Sequence, residues 1–277
     1  MTAPDREANA PGMAAAPDVT VEHQGAVALL RWNRPGKRNA ITATMYACMA
    51  ELLAAADADP RVKAIVLTGA GPAFSAGNDI DDFIRHPPTG PDAPVTRFLH
   101  TLAALATPLV AAVRGPAIGV GTTMLLHCDL VYAGSDARFG MPFAQLGLCP
   151  EAASSLLLPR LSGYQRAAEK LLLGDPFDAE EARAMGLVNR VVAPGAVEEE
   201  ALRQAQRLAA LPVAALRATK ALLKADPAHT VATRIDVEIA QFAILLQGPA
   251  AQEALQAFME KRRPDFAALD DPVVPAA

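Results

Sequence analysis

The sequence predicts an α/β fold with a largely parallel sheet and a helical C-terminal region, on three observations. Short runs of β-branched and aliphatic residues alternate with helix-length stretches from Val19 to about residue 192. Two of those runs, residues 62–69 and 109–113, are almost continuously apolar, as strands buried on both faces are. Residues 196–263 read as helices alone.

The elements follow in order. Val19–His23 and Val27–Trp32 flank the turn signal Gln24-Gly25 and predict a hairpin. After the Pro/Gly-rich residues 33–40, Thr42 is a good N-cap for a helix that ends before Pro60. Strand 62–69 runs into a glycine-rich loop, and a helix over 95–106 is halted by Thr107-Pro108. Strand 109–113, a second glycine-rich loop, a helix over 122–128 and a strand over 129–133 repeat the unit. Right-handed crossovers are expected for such alternation. Beyond it, helices are expected over 196–211, 214–225, 230–247 and 250–263, with breaks at Pro212, Pro227 and Gly248-Pro249. The division is a disordered lead at 1–17, a core at 18–195, a helical region at 196–266 and a ragged tail at 267–277. Apolar helical faces such as residues 239–246 either pack on their own core or self-associate.

Bulk properties narrow the function. The 277 residues are 52% hydrophobic and carry a net charge of −5, so no global positive field invites nucleic acid or an anionic membrane surface. A polyanionic ligand would need a local basic pocket. Cys48, Cys128 and Cys149 are too far apart for a CxxC motif and odd in number, which fits a reducing cytoplasm. No apolar run has the length of a membrane span.

Two loops and one acid stand out. The loop at 69–79 has Phe74 where a dinucleotide-binding fingerprint needs its third glycine, and no phosphate-loop lysine. What remains is a bend around Gly77 that is either a structural turn or a means of presenting the Asn78 N–H. The loop at 114–123 has the same construction, with Gly119-Val120-Gly121 leading into a helix from about Thr122. Two such loops after neighbouring parallel strands can aim a pair of N–H donors at one point, as an oxyanion hole does. Glu151 follows Pro150 among Phe143, Leu146, Leu148 and Leu156–Leu158. It is either a general base whose pKa desolvation raises, or a first-turn acid that favours a helix dipole. His127, on an apolar helix, reads as a core histidine, and Cys149 as a small buried side chain. The histidines have no HExxH spacing and Ser154 and Ser155 lack a GxSxG elbow, so neither a metal site nor a serine hydrolase is expected.

The ordered set NRPGKRNAI, AFSAGNDI, GPAIGVG, CDLVYAGSDARFGMPF, GLCPEAASS, FDAEEARAMGLVNRVV and FMEKRRPDF, spread over residues 19–266, resembles the enoyl-CoA hydratase/isomerase (crotonase) superfamily. The resemblance implies a ClpP/crotonase-type fold of repeated ββα units, a C-terminal helical trimerisation region, trimers or hexamers, and acyl-CoA thioester substrates. It implies no cofactor, coenzyme A being part of the substrate. Carried over residue by residue, the backbone N–H groups of Asn78 and Val120 hold the thioester oxygen. Lys37, Arg38 and Ala40, with Ala76, Gly77, Asp79, Ile80, Gly121, Phe143 and Lys261, line the substrate and coenzyme. The basic Lys261 acts from its own or a neighbouring subunit.

Thr123 and Phe143 occupy the positions where the family's hydratases carry their two glutamates. The block MPFAQLGLCPEAASS is similar instead to peroxisomal-type Δ3,Δ2-enoyl-CoA isomerases, which makes Glu151 the base. A one-base shift of a 3-enoyl-CoA to a 2-enoyl-CoA is the expectation. Hydration, hydrolysis, retro-Claisen cleavage and a non-catalytic acyl-CoA-binding module stay open as alternatives. The proline-rich segment 85–98 is expected to form a loop that closes the pocket.

Overall fold

A computed structural model describes residues 18–87, 90, 92–225, 227–266 and 269. The lead at 1–17 and nearly all of the tail at 267–277 lie outside the described residues. Strands β1 (Val19–Gln24) and β2 (Val27–Trp32) form the expected antiparallel hairpin. Helix α1 (Ala43–Ala58) starts at Thr42, whose Oγ1 accepts from the Met45 N–H at 3.3 Å. Strand β3 (Ala64–Gly69), helices α2 (Ile80–Arg85) and α3 (Pro94–Ala104), and strand β4 (Leu109–Val113) follow. Next come β5 (Pro116–Ile118), α4 (Val120–Thr123), β6 (Leu130–Gly134) and β7 (Arg138–Gly140). The chain continues through α5 (Ser154–Ser162), α6 (Tyr164–Ala168), β8 (Phe177–Asp178), α7 (Ala179–Ala184) and β9 (Arg190–Val192). It ends in α8 (Val197–Ala209), α9 (Val213–Lys224), α10 (Pro227–Leu246) and α11 (Pro249–Met259).

Six strands form one sheet in the order β1-β2-β3-β4-β6-β9, parallel from β2 onward, and β5-β7-β8 form a second. The apolar strand runs have the cause that was expected, because alternate residues enter two separate cores. Val27 and Leu29, Ala64 and Val66, and Val110 and Ala112 face Val197, Ala201 and Ala205 of α8. Ala28, Leu30 and Trp32, Ile65 and Leu67, and Ala111 and Val113 belong to the larger core with α1 and α3. Helix α8 falls in the helical region by sequence, yet it serves as one cover of the sheet. Its first turn carries Glu198, Glu199 and Glu200, favourably placed at the dipole's positive end.

Several boundaries differ from the sequence reading. The helix after the second glycine loop begins at Val120 rather than Thr122, because Gly119 takes φ +57 and turns the chain two residues earlier. The break expected at Pro227 is present, but α10 starts at Pro227 itself rather than at residue 230, since a first-turn proline sacrifices no helical hydrogen bond. Of the apolar residues offered for self-association, Phe242 and Leu246 are already buried in their own chain, whereas Ile244 is exposed. Among the described residues no helix is long and apolar enough to cross a membrane.

Strands β3 and β4 are neighbours, and the loops leaving their C-terminal ends meet. The N–H groups of Phe74 and Ser75 both donate to the Pro116 carbonyl, at 3.0 and 3.1 Å, and the Ile118 N–H donates to the Ser75 carbonyl at 3.0 Å. At Gly115, with φ +59, a Cβ would lie 1.9 Å from the Pro72 carbonyl oxygen. Gly115→Ala therefore has to separate the loops, and should lower the urea unfolding free energy by about 3 kcal/mol or more. Gly195→Ala, where a Cβ meets nothing within 4 Å, serves as the control and should stay within about 0.5 kcal/mol of the parent. Equal urea midpoints for the two variants would contradict this account of the loop contact.

Candidate active site

The first loop is held open at Asn78 by its neighbours. Asn39, buried and at φ +56, donates from Nδ2 to the carbonyls of Ala70 (2.9 Å) and Ala73 (2.7 Å). Ser75 Oγ donates to the Asn39 carbonyl at 2.9 Å and accepts from the Gly77 N–H at 3.1 Å. Gly77 takes φ +88, and a Cβ there would come 2.8 Å from the Ile118 carbonyl oxygen. The chain then pairs with residues 38–41: Ala76 N–H donates to Arg38, Ile41 N–H to Gly77, and Asp79 N–H to Ile41. The two stretches expected to bind coenzyme, around Lys37–Ala40 and Ala76–Ile80, are thereby brought side by side, with Lys37 and Arg38 exposed.

The second loop is fixed the same way. Gly119 N–H donates to Gly140 at 2.8 Å, and Thr122 Oγ1 donates to the Ala117 carbonyl while accepting the Gly140 N–H at 3.2 Å. Gly121 lies against Ser75, whose carbonyl oxygen would be 2.9 Å from a Cβ there. The Val120 side chain points into the main core and is 1% exposed, so a valine costs this position nothing. Among the described residues, the N–H groups of Asn78 and Val120 make no backbone hydrogen bond. Two unsatisfied donors in adjoining loops, one at a helix start, suit an anionic oxygen.

Glu151 is 6% exposed, and among the described residues its Oε1 has no hydrogen-bond partner. Burial first, and the nearby Glu238 carboxyl second, push its pKa up to about 8. With Asn78, Phe83, Val95, Thr96, Leu99, Ile239 and Phe242, it lines a cavity of ≈ 20 Å³, about one water's room. A wider cleft of ≈ 430 Å³ shares Asn78, Phe83 and Val95 with that cavity and reaches out past Pro94 to His86. Asn78 therefore stands where the open cleft narrows towards the acid. The cleft draws on both ends of the segment 85–98 that was expected to close a pocket, although residues 88, 89 and 91 lie outside the described residues.

The turn after Glu151 is strained. Ala152 and Ala153 both adopt left-handed φ, 60 and 54, at about 1–2 kcal/mol each for residues with a Cβ. Opposing that are hydrogen bonds from the Ser154 N–H (3.0 Å) and Oγ (2.6 Å) to the Glu151 carbonyl. His127 Nε2 lies 2.8 Å from the Ala152 carbonyl, which makes Nε2 the protonated nitrogen. Burial holds that imidazole neutral, with its pKa lowered to about 4. At about 1 kcal/mol net for each bond, these contacts offset the strain. His127 is the satisfied core histidine that the sequence indicated, and burial pushes the Cys149 thiol up to about 12, so it is no thiolate nucleophile.

Other expected residues fall out as follows. Phe143 is buried, and so is Thr123, whose Oγ1 has no partner. The Asp79 carboxylate caps α2 through the Asp82 N–H at 3.1 Å and pairs with Arg34 at 2.5 Å, which outweighs burial and holds its pKa below the usual value. Lys261 is exposed beyond α11 at φ 55, and its N–H donates to the Phe258 carbonyl at 3.2 Å.

Sequence reasoning missed two residues. The Tyr46 hydroxyl donates to Asn78 Oδ1 at 2.5 Å and so orients that residue. Burial, then the Glu151 charge, raise its pKa well above the ordinary value. Nothing in the sequence around Tyr46 signals this. Glu238 was legible in principle, because it interrupts a buried helical stripe with Ile235 and Phe242 at i−3 and i+4.

The sequence profile described as Enoyl-CoA hydratase/isomerase matches residues 22–268. The chain belongs to this family. The 1,2-epoxyphenylacetyl-CoA isomerase of Escherichia coli (strain K12) is 35% identical over 87% of the chain and 94% of its own length. The enoyl-CoA delta isomerase 2 of Rattus norvegicus is 38% identical over 74% of the chain and 54% of its own. A crystal structure of an enoyl-CoA hydratase/isomerase from Pseudoalteromonas atlantica T6c superposes with a TM-score of 0.86 at 41% identity, over 90% of the chain and 99% of its own. The crotonase-like α/β fold expected from the sequence is thus present, and family relatives carry both hydratase and isomerase names.

A carboxyl with a raised pKa binds a proton more tightly in the folded chain than in the unfolded one, where 4.5 is the reference value. The folded state holds the extra proton between pH 4.5 and about 8, so Glu151 costs stability progressively as pH rises through that window. Glu151→Gln should remove this slope and be more stable than the parent at pH 9, by on the order of 3 kcal/mol. Urea unfolding at pH 5 and pH 9 checks it; parallel curves for parent and variant would contradict the buried, uncompensated carboxyl.

Proposed function

We propose that this chain is a Δ3,Δ2-enoyl-CoA isomerase that uses Glu151 as its single base. The observation that carries the proposal is the Glu151 carboxyl itself: buried, unpaired at Oε1, and walled by apolar side chains beside Asn78. Glu151 takes a proton from C2 of a 3-enoyl thioester, and the N–H groups of Asn78 and Val120 bind the oxygen of the resulting dienolate. The proton returns to C4, the double bond moves from C3–C4 to C2–C3, and the carboxylate is regenerated. Thr123 and Phe143, at the positions of the hydratase acids, supply no carboxylate to activate water. The mainly apolar lining of Phe83, Val95, Leu99, Ile239 and Phe242 offers little to hold and orient an attacking water, which favours proton transfer over hydration. The enoyl-CoA delta isomerase among the relatives supports the same reading.

Hydration of a 2-enoyl-CoA is the second reading, because Glu238 gives the region a second buried carboxyl. Product analysis on 3-enoyl- and 2-enoyl-CoA separates the two. For isomerisation, Glu151→Gln should lower kcat/KM by at least about 10²-fold while leaving the affinity for a saturated acyl-CoA within about threefold. In the parent, kcat/KM should rise with pH towards about 8, as the base must be ionised to accept the proton. A variant that isomerises at the parental rate would eliminate Glu151 as the base.

Coenzyme phosphates are assigned to Lys37 and Lys261, the latter acting from its own chain or from a neighbour in a trimer or hexamer. Exposed Leu222, Leu223, Ile244 and Phe258 on the C-terminal helices favour such an assembly, which light scattering measures. Lys261→Ala should raise KM for acyl-CoA with kcat little changed, and should leave short pantetheine thioesters unaffected. Equal losses for both substrates would remove Lys261 from phosphate recognition.

A further inference from the structure

Glu238 is 5% exposed on α10, its backbone carbonyl accepts from the Cys149 thiol at 3.7 Å, and its carboxyl reaches the segment that follows Glu151. Oε1 accepts the Ser155 N–H at 3.0 Å and the Ser155 hydroxyl. Among the described residues Oε2 is buried without a partner, as is Oε1 of Glu151. Burying two carboxyls near enough for the charge of Glu238 to raise the Glu151 pKa, with two oxygens unpaired among the described residues, is costly for a fold that gains nothing from it. The acid also stands where the stripe of α10 is otherwise apolar, between Ile235 and Phe242, and the adjacent Ile239 and Phe242 line the Glu151 cavity.

We propose that Glu238 is a positioning residue for Glu151: through Ser155 it holds the left-handed turn at Ala152-Ala153, aiming the acid into its cavity, and it stands beside that acid as a second carboxyl. The turn is gripped from two sides, by His127 on the Ala152 carbonyl and by Glu238 on Ser155. Neither bond alone fixes both peptide planes of a two-residue left-handed turn; together they do. The assignment rests on the reading of Glu151 as the base.

The charges around the pair set the direction of its titration. Burial raises the Glu238 pKa, but Ser155, donating two hydrogen bonds, and Arg234, one turn earlier on α10, favour its ionised form, support that Glu151 does not receive. Glu151 receives no donor on Oε1 and faces Tyr46 from α1, Cys149 from its own loop and Glu238. His127 is neutral, and the His100–Asp236 pair between α3 and α10 satisfies itself at 2.9 Å. The first charge therefore goes to Glu238, and Glu151 ionises against it.

Three variants test the proposal. Glu238→Ala removes the grip and should lower kcat by about tenfold or more with KM within about threefold. Glu238→Gln keeps an acceptor for Ser155 but no charge, so it should restore kcat to within about threefold of the parent. The same variant should move the Glu151 titration down by about one pH unit. That titration is read without turnover, by ¹³C NMR of glutamate labelled at the side-chain carboxyl, with Glu151→Gln assigning the signal. Ser155→Ala, which deletes only the hydroxyl donor, covers the case in which Glu238→Ala does not fold, and should lower kcat by about threefold or more. Parental kcat in the variants that remove a contact, or an unmoved Glu151 titration in Glu238→Gln, overturns the proposal. A parent that titrates as described but turns over no enoyl-CoA would instead overturn the isomerase reading and leave the Glu238 assignment standing.

Discussion

The site depends on the approach of two backbone segments, residues 72–77 and 115–121, closer than side chains permit. Added Cβ atoms at Gly77, Gly115 and Gly121 would each come within 3 Å of a carbonyl oxygen in the opposite segment. Because the contact is main chain to main chain, the N–H groups at its rim are placed by the sheet and not by flexible side chains. Both segments leave the C-terminal ends of adjacent parallel strands, so the register of Thr68 opposite Ala112 already fixes how far apart they can be. That gives a rigid donor pair at no cost in side-chain entropy.

Against this rigid half stands an acid held by a different means. Glu151 is not on a strand or helix but ahead of two alanines in a conformation that alanine disfavours, and His127, Ser154, Ser155 and Glu238 combine to keep it there. Desolvation then decides its chemistry. Among the described residues no cation lies against the carboxyl, so burial raises its proton affinity instead of an ion pair lowering it. Asp79, a few residues from the donor loop, is the contrast: Arg34 keeps it ionised and occupied with capping α2. Two acids of one region are thus separated in role by whether a guanidinium reaches them.

Most of the sheet was legible in the sequence because its signals are local. The hairpin turn, the Thr42 cap and the double-faced apolar strands each depend on a few neighbouring residues. The short strands β5, β7, β8 and β9 were not read, since two or three residues carry no period. The start of α4 was misplaced because glycine at 119 can adopt φ of either sign, and only the contact with Gly140 selects the positive one. At the site, motifs located the donor loops and Glu151. They were blind to Tyr46 and Glu238, whose partners Asn78 and Ser155 lie 32 and 83 residues away. Long-range hydrogen bonds leave no trace in spacing.

Helix α10 belongs to the C-terminal helical region by sequence and to the Glu151 cavity by contact. Ile239 and Phe242 form one wall of the cavity, Glu238 braces the acid's turn, and Ile244, on the same helix, is exposed. The boundary at residues 195 and 196 therefore separates kinds of secondary structure but not functional modules. A chain ending there would keep both donor loops and the Glu151 segment, yet its acid would open to water and lose the desolvation that sets its basicity. In a design or a recombined relative, the core and this helix have to be exchanged as one unit.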